Sequence, residues 1–174
     1  MQIATAEVAI PWSAGELERL FHENHGLVFR TAYRITGNAS DAEDVLQTVF
    51  LRLAGRNRSF PPLVDSASYL RRAAINAALD VVRGRASSHV EPPDEMRAAP
   101  SGAERRELRE CLRKALAQLR PNEAEVFALR YFEDQSNAEV ARTLGKSQVW
   151  VAVTLHRARR RLQKEISSYL GNRR

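Results

Sequence analysis

The stretch from residue 137 to residue 166, NAEVARTLGKSQVWVAVTLHRARRRLQKEI, decides the fold of this chain. Just before and within it, Ser136 and Glu139 fit the S-x-x-E capping box that begins a helix. Gly145 suits the left-handed residue that ends a helix, and Ser147 can cap a second helix. A short helix, a three-residue turn and a long Arg-rich helix together predict a helix-turn-helix.

The long helix of this motif has two chemically distinct faces. Apolar residues recur at helical spacing on one face, which is therefore predicted to be buried. These residues are Val151, Leu155, Ala158, Leu162 and Ile166. The opposite face carries Val149, Val153, Arg157, Arg160 and Lys164. A basic outer face on a helix-turn-helix indicates a nucleic-acid partner.

The charge of the chain is unevenly distributed. The 174 residues carry a formal net charge of +6, and residues 104–174 hold sixteen basic against nine acidic residues. From Arg142 onward, only Glu165 is acidic. Because the positive excess lies in the part that contains the helix-turn-helix, it favours a polyanionic partner over a merely solvated helix face.

The sequence lacks the features of several other classes of protein. Cys111 is the single cysteine, so neither a disulfide framework nor a cysteine zinc site is expected. No apolar run approaches the roughly 20 residues that span a membrane. The N-terminus lacks the basic start and continuous apolar segment of a secretory signal. We therefore expect a cytoplasmic, nucleoid-associated protein with no metal and no cofactor.

The chain is predicted to be all-α, with two small helical domains at residues 13–86 and 104–170. Between them, residues 87–103 are rich in Pro, Ser and acidic residues and show no helical period, which indicates a flexible linker. No β-branched alternating run with hairpin turns is present on either side. The C-terminal domain is the one that contains the helix-turn-helix.

The N-terminal domain is predicted to contain three helices. The first follows a capping box at Ser13 and Glu16, and the second follows another at Ser40 and Glu43. In the second helix the buried stripe is Val45, Leu46, Val49, Phe50 and Leu53, and the outer face is Asp41, Asp44, Gln47, Thr48 and Leu51. A third helix begins at Ser66 and has its outer face at Arg71, Arg72, Asn76 and Arg83.

The order of these segments resembles that of the sigma-70 family of bacterial RNA polymerase sigma factors, in its extracytoplasmic-function (ECF) group. The similarity rests on DAEDVLQTVFLRL, SYLRRAAINAALDVVRGR and LRPNEAEVFALRYFEDQSNAEVARTLGKS followed by LHRARRRL. It implies a protein without a catalytic site that binds core RNA polymerase, directs it to specific promoters and promotes DNA opening. It also adds an anti-sigma factor, which holds relatives inactive, to the candidate partners.

The resemblance assigns a role to three sets of residues. Contact with core polymerase, or support of that contact, falls to Asp41, Glu43, Asp44, Gln47 and Leu51. Binding of the minus-ten promoter element falls to Phe60, Tyr69, Arg72, Asn76 and Arg83. Binding of the minus-thirty-five element falls to Ser147, Ala152, Val153, His156, Arg157 and Arg160.

The chemistry of these side chains agrees with those roles. An unstacked base needs an aromatic or apolar wall and a few hydrogen-bonding groups, which Phe60, Tyr69 and Asn76 offer. Arg157 suits a bidentate contact to guanine, and Arg160 suits a phosphate. On residue type alone, core packing for Tyr69 and a purely structural role for Asn76 stay open.

The chain departs from the family pattern at two places. Thr48 stands where relatives usually have an acidic residue. The head of the recognition helix, at Val149 and Trp150, is apolar where many relatives have Gly and Thr. Fewer side chains there can therefore form hydrogen bonds to the edges of the bases. Val153 and Ala152 are then expected to touch thymine methyl groups, while Trp150 has packing against a neighbouring helix as its alternative role.

Two other functions are consistent with parts of the sequence. A conventional helix-turn-helix regulator that binds duplex DNA would explain the C-terminal half, but it would leave the N-terminal domain without a role. An enzyme is disfavoured because His22 and His25 have no carboxylate or thiol set nearby to complete a metal site. The sequence also has no Gly-rich phosphate loop.

Overall fold

The computed structural model describes residues 14–55, 66–88 and 103–171, and within these ranges all regular structure is helical. The prediction of an all-α fold is therefore confirmed. The helices are α1 (Ala14–Thr36), α2 (Ala39–Ala54), α3 (Ser66–Ser88), α4 (Ala103–Ala117), α5 (Pro121–Tyr131), α6 (Asn137–Leu144) and α7 (Gln148–Gly171). In the described part of the chain, none of these helices is both long and apolar enough to cross a membrane.

The first three helices pack against one another and bury the stripes that their sequence predicts. On α2 the predicted residues Val45, Val49, Phe50 and Leu53 are buried, and Leu46 packs against the core while partly exposed. Helix α3 lies against both α1 and α2. Because α3 is rich in alanine, its backbone can approach its neighbours closely, which leaves its longer polar side chains to project from the other face.

The start of α2 differs from the prediction. Asn38, not Ser40, is the N-cap, and its Oδ1 atom accepts a hydrogen bond from the backbone N–H of Asp41 at 3.0 Å. Gly37 precedes it with φ of 66°, a conformation that glycine adopts without strain. Since Asn and Ser cap equally well, the two nearby signals compete, and the turn at Gly37 selects the earlier one.

The helix-turn-helix forms as predicted. Ser136 Oγ accepts from the backbone N–H of Glu139 at 3.3 Å, and Glu139 Oε2 accepts from the backbone N–H of Ser136 at 2.7 Å. Gly145 is left-handed, with φ of 63°. Ser147 caps α7 by accepting from the backbone N–H of Trp150 at 3.1 Å. These caps fix the turn between α6 and α7 and so set the direction in which α7 leaves.

The N-terminal group α1–α3 and the C-terminal group α4–α7 are in contact. Helix α3 packs against both α4 and α5. Near the start of α2, Arg113 of α4 donates a hydrogen bond to the carbonyl of Thr36 at 3.3 Å. A Cβ atom at position 37 would meet the end of the flexible Arg113 side chain, which would have to shift, while the φ angle of 66° is the stronger reason for glycine there.

Candidate nucleic-acid interface

The outward face of α7 is open to solvent along its length. The predicted minus-thirty-five residues are all exposed, namely Ser147, Ala152, Val153, His156, Arg157 and Arg160. Val149, at the head of the helix, is 72% exposed although it is apolar. The inward face agrees with the prediction, with Val151, Leu155, Ala158 and Leu162 buried. The face therefore presents an apolar head followed by basic residues.

Two arginines of α7 are held by α5 and its C-terminal end. Arg159 Nε donates to the hydroxyl of Tyr131 at 2.6 Å, and its guanidinium carbon lies 5.5 Å from the centre of that ring. Arg161 pairs with Glu123 at 3.3 Å. Glu123 is buried and also accepts from the backbone N–H of Arg120, which precedes α5. These contacts hold α7 against α5, a role for Arg159 and Arg161 that the sequence did not predict.

A groove of about 380 Å³ lies between the start of α5 and the outward face of α7. Its lining consists of Arg120, Pro121, Asn122, Glu123, Trp150, Thr154 and Arg157. Trp150 is partly buried against the hydrophobic core, and the ammonium group of Lys146 lies 5.8 Å from its ring centre. Packing is thus one role of Trp150. Arg157 is exposed and lines this groove, and among the described residues no carboxylate pairs with it.

The predicted polymerase surface on α2 divides into exposed and buried residues. Glu43, Asp44, Gln47 and Leu51 are exposed, and Leu51 is 69% exposed. Asp41 was expected on the same outer face, but it is only 7% exposed. Its carboxylate accepts a hydrogen bond from Arg85 of α3, and the Asp41 side chain therefore packs between α2 and α3. Asp41 ties α2 to α3 instead of presenting a charge to a partner.

Burial changes the acidity of Asp41. Removal from water raises the pKa of this carboxyl above its ordinary 3.8, and the nearby Arg85 guanidinium opposes that rise. One of its two oxygens, Oδ2, is buried without a hydrogen-bond partner among the described residues. The pair therefore holds two helices together while leaving an unsatisfied acceptor.

The predicted minus-ten residues on α3 are placed in different surroundings. Tyr69 is partly buried and packs against the hydrophobic core, as its structural alternative allowed. Arg83 pairs with Asp80 one turn earlier at 3.2 Å. Arg72 Nε and Asn76 Nδ2 both donate to Glu125 Oε1, at 3.0 Å and 3.2 Å. Phe60 lies outside the described residues.

Sequence reasoning missed the acidic partners of this face. Glu125 lies within the buried stripe of α5, and Glu133 follows the end of that helix. Glu133 Oε2 accepts from Arg71 Nε at 2.9 Å. Charged residues on the buried side of a helix are rare unless they are paired, so Glu125 within an apolar pattern was the available signal for a cationic partner.

A helix-turn-helix with a basic outer face is the architecture of a DNA-binding protein, and comparison with known proteins identifies which kind. The family model described as Sigma-70 region 2 matches residues 20–88, and the one described as Sigma-70, region 4 matches residues 109–162. The chain belongs to the sigma-70 family of RNA polymerase sigma factors, in the ECF group.

Named relatives and a solved structure agree with this assignment. The chain is 33% identical over 153 residues to the RNA polymerase sigma-E factor of Streptomyces coelicolor, covering 87% of this chain and 86% of that protein. It is 28% identical over 166 residues to the ECF RNA polymerase sigma factor SigL of Mycobacterium tuberculosis, covering 92% and 90%. The fold is similar to that of the sigma factor RpoE from Bartonella quintana, solved in complex with the anti-sigma factor NepR. That match has a TM-score of 0.50 at 17% identity and covers 88% of this chain and 98% of that one.

The match of both regions confirms the function predicted from the sequence, that of an RNA polymerase sigma factor. A conventional helix-turn-helix regulator would leave the N-terminal half of the chain without a role. Region 2 covers that half from residue 20 to residue 88. The chain therefore carries both regions in the family order.

Proposed function

We propose that this sigma factor binds core RNA polymerase through α2, engages the minus-ten element through α3 and reads the minus-thirty-five element through α7. In this proposal residues 13–86 and 104–170 act as two domains joined by the predicted linker 87–103, although residues 87 and 88 belong to α3 and residue 103 to α4. The protein acts in the cytoplasm by binding alone and has no catalytic site, metal or cofactor. The observation that carries the proposal is the open face of α7, where Arg157 is exposed beside an apolar head.

The polymerase contact is assigned to the exposed side chains of α2. Asp44 and Gln47 project from the middle of that helix, one turn apart, with Leu51 a further turn on. Protein-protein contacts combine an apolar centre with a polar rim, and Leu51 with its polar neighbours can supply both. Glu43 lies at its edge, and Asp41 supports the surface from within through its pair with Arg85.

The minus-ten contact is assigned to α3 and the segment before it. Arg72 and Asn76 lie one turn apart on α3, and both donate to Glu125 of α5. Their N–H groups suit phosphate and the edge of an extruded base. Phe60 and Tyr69 are proposed as the apolar wall for that base, and Arg83 flanks it.

The minus-thirty-five contact is assigned to the outward face of α7. Ala152 and Val153 are proposed to touch thymine methyl groups, and Arg157 to donate to a guanine edge. His156 adds a second polar group, and Arg160 contacts phosphate. Ser147 serves this face by capping α7, which directs the first turn of the helix toward the DNA.

Sequencing of transcripts made on genomic DNA tests this function. Core polymerase supplemented with the chain is expected to produce discrete start sites that core polymerase alone does not produce. The upstream regions of these sites should share two short elements. Failure to bind core polymerase, together with dimeric binding to duplex DNA, would favour a conventional regulator instead.

Anti-sigma factors are proposed as further partners, and co-purification from the native host would identify one.

A further inference from the structure

The groove between the start of α5 and the outward face of α7 is lined by two largely buried polar residues. Glu123 is 5% exposed and Thr154 is 6% exposed. The backbone N–H of Arg120 and the ion pair with Arg161 both fall on Glu123 Oε2. In the part of the chain that the structure describes, neither Glu123 Oε1 nor Thr154 Oγ1 has a hydrogen-bond partner. Because buried polar groups are normally hydrogen-bonded, these two atoms are suited to a ligand that enters the groove.

The same groove carries two arginines that are free to bind an anion. Arg120 lies immediately before α5 and Arg157 lies on α7, and both are exposed. Neither forms an ion pair with a carboxylate among the described residues. Guanidinium groups bind phosphate through paired N–H groups, and the N-terminal end of α5 adds a favourable dipole on the same side. The exposed part of the groove therefore suits phosphate groups.

A planar group can be held between these polar residues. Trp150 lines the groove and is only partly buried, so part of its indole ring is open to a ligand. Aromatic rings of this kind stack on nucleobases. Asn122 adds a side-chain amide to the lining. The volume of about 380 Å³ falls within the range of pockets that hold a small organic ligand.

We propose that this groove binds a free guanine nucleotide, and that the bound nucleotide competes with the minus-thirty-five element for Arg157. The Watson–Crick edge of guanine presents two N–H donors beside the O6 acceptor. Glu123 Oε1 and Thr154 Oγ1 can accept from those donors, and the amide of Asn122 can donate to O6. Adenine has an acceptor where guanine has its ring N–H donor, so it matches this set of groups less well.

Duplex DNA is a poorer ligand for the buried part of the groove. The Watson–Crick edge of a guanine in a duplex is already paired with cytosine, so it cannot reach Glu123 or Thr154. A negatively charged backbone would also meet the carboxylate of Glu123. A single nucleotide can place its base between the helices and its phosphates near Arg120, which favours a free nucleotide over a segment of the promoter.

The competition follows from the position of Arg157. This side chain lines the groove, and the proposed function assigns it to a guanine of the upstream promoter element. It cannot contact a bound nucleotide and a base pair of DNA at the same time. Promoter binding would therefore fall as the concentration of guanine nucleotide rises. This second part of the inference rests on the proposed function, whereas binding of the nucleotide does not.

Calorimetric titration of the full chain with GDP tests the binding. ADP is the matched ligand, because it carries the same charge and the chain, with a net charge of +6, attracts any polyanion. The affinity for GDP is expected to exceed that for ADP by about tenfold, since the buried acceptors would be left unpaired by adenine. Guanosine, which lacks phosphates, should bind more weakly than GDP.

Two variants separate recognition of the phosphates from recognition of the base. Arg120→Ala is expected to weaken GDP and ADP alike, by about tenfold. Thr154→Val keeps the shape of the side chain and removes its hydroxyl, so it should weaken GDP about fivefold and leave ADP nearly unchanged. Arg109→Ala, at an exposed position of α4 outside the groove, is the matched control and should change neither affinity. Circular dichroism checks that each variant is folded.

Fluorescence reports whether the nucleotide lies against Trp150. The chain has two tryptophans, Trp12 and Trp150, so Trp12→Phe leaves Trp150 as the only indole. GDP is expected to quench its emission at the concentrations that saturate the calorimetric signal. An unchanged emission at those concentrations would place the nucleotide elsewhere and overturn the assignment of the groove.

Promoter binding by polymerase that carries this chain tests the competition. GDP is used because it is not a substrate for RNA synthesis. Saturating GDP should weaken promoter binding several-fold, ADP at the same concentration should have little effect, and Thr154→Val should lose most of the response to GDP. Promoter affinity that GDP leaves unchanged would overturn the competition.

Two results of the titrations would overturn the nucleotide site itself. Equal affinities for GDP and ADP would show that the chain attracts polyanions without recognising guanine. An unchanged affinity for GDP in folded Thr154→Val and Arg120→Ala would show that the groove is not the site. Mapping of transcript start sites requires no GDP, so the proposed function would stand after either result. Conversely, titration of the free chain does not depend on its binding to polymerase.

Discussion

Arg85, near the end of α3, donates a hydrogen bond to the carboxylate of Asp41 in the first turn of α2. This pair lies behind the proposed polymerase surface and fixes the angle at which α2 leaves its cap at Asn38. Arg85→Ala is expected to lower the free energy of unfolding at neutral pH by about 1–3 kcal/mol, since it leaves a largely buried carboxylate unpaired.

The pH dependence of that loss follows from the pKa of Asp41. Burial holds this pKa above 3.8, and loss of Arg85 removes a factor that lowers it. The ionised carboxylate in the variant therefore costs stability at neutral pH, and stability returns as the pH falls through the raised pKa toward 3.8. Urea unfolding across this range measures the difference from wild type. Arg52→Ala, on the exposed side of α2, is the control, and an equal loss at both ends of the range would contradict the account.

We expect the exposed residues of α2 to contribute to the affinity for core polymerase but not to the stability of the fold. Asp44→Ala with Gln47→Ala should weaken binding to core polymerase by about tenfold, or about 1.4 kcal/mol. The melting temperature should stay close to that of the wild type because both side chains are exposed. Titration with labelled core polymerase measures the affinity, and Glu23→Ala on the exposed side of α1 serves as the control. Unchanged affinity in the double variant would remove α2 from the polymerase contact.

The capping box of α6 is expected to make the helix-turn-helix sensitive to acid. Hydrogen bonds from the Ser136 hydroxyl and then from its backbone N–H lower the pKa of Glu139 below its ordinary 4.5. The stabilisation that depends on ionised Glu139 is therefore fully present above 4.5 and is lost as the pH falls through the lowered value. Ser136→Ala should be less stable than wild type at neutral pH, and the difference should narrow in acid. Urea unfolding followed by far-ultraviolet circular dichroism measures both values. Equal stability at neutral pH would show that the cap is unimportant, and a difference that does not change with pH would show that ionised Glu139 is not its cause.

Arg157 and Arg160 are expected to behave differently although both are exposed on α7. Arg157→Ala should cost about 1–3 kcal/mol and relax the preference at one base pair of the upstream element. Arg160→Ala should weaken binding to all sequences about equally and reduce the salt slope by about 1. A panel of single-base promoter variants, bound by polymerase carrying each protein at fixed salt, separates the two. If Arg157→Ala lowered the affinity for all promoter variants equally, Arg157 would be a phosphate contact. Sequence specificity would then depend on Val153, His156 and DNA shape.

Local features of this fold were predictable because their causes lie within a few residues. The capping box at Ser136 and Glu139 and the left-handed Gly145 are complete within ten residues of sequence, and both form as predicted. The cap of α2 was less certain for a local reason, since Asn38 and Ser40 are equally good caps two residues apart. Only the conformation of Gly37 decides between them.

Long-range pairing was not predictable from periodicity. Asp41 was assigned to the outer face of α2 by its spacing, but its partner Arg85 lies 44 residues away and draws it inward. Glu125 and Asn76 are 49 residues apart, and Glu133 and Thr31 are 102 apart. Such pairs depend on how the helices are arranged. A helical period reports only which side of a helix is apolar, so it cannot name the partner.

Permanganate footprinting of a promoter bound by polymerase and this sigma factor tests the central claim most directly. The Asn76→Ala variant should leave initial duplex binding nearly intact and reduce the reactivity of thymines in the minus-ten element severalfold, because its proposed role begins only when a base is unstacked. Arg157→Ala, measured beside it, should reduce binding and opening together. Equal thymine reactivity in Asn76→Ala and wild type, at equal occupancy of the promoter, would contradict the assignment of α3 to DNA opening.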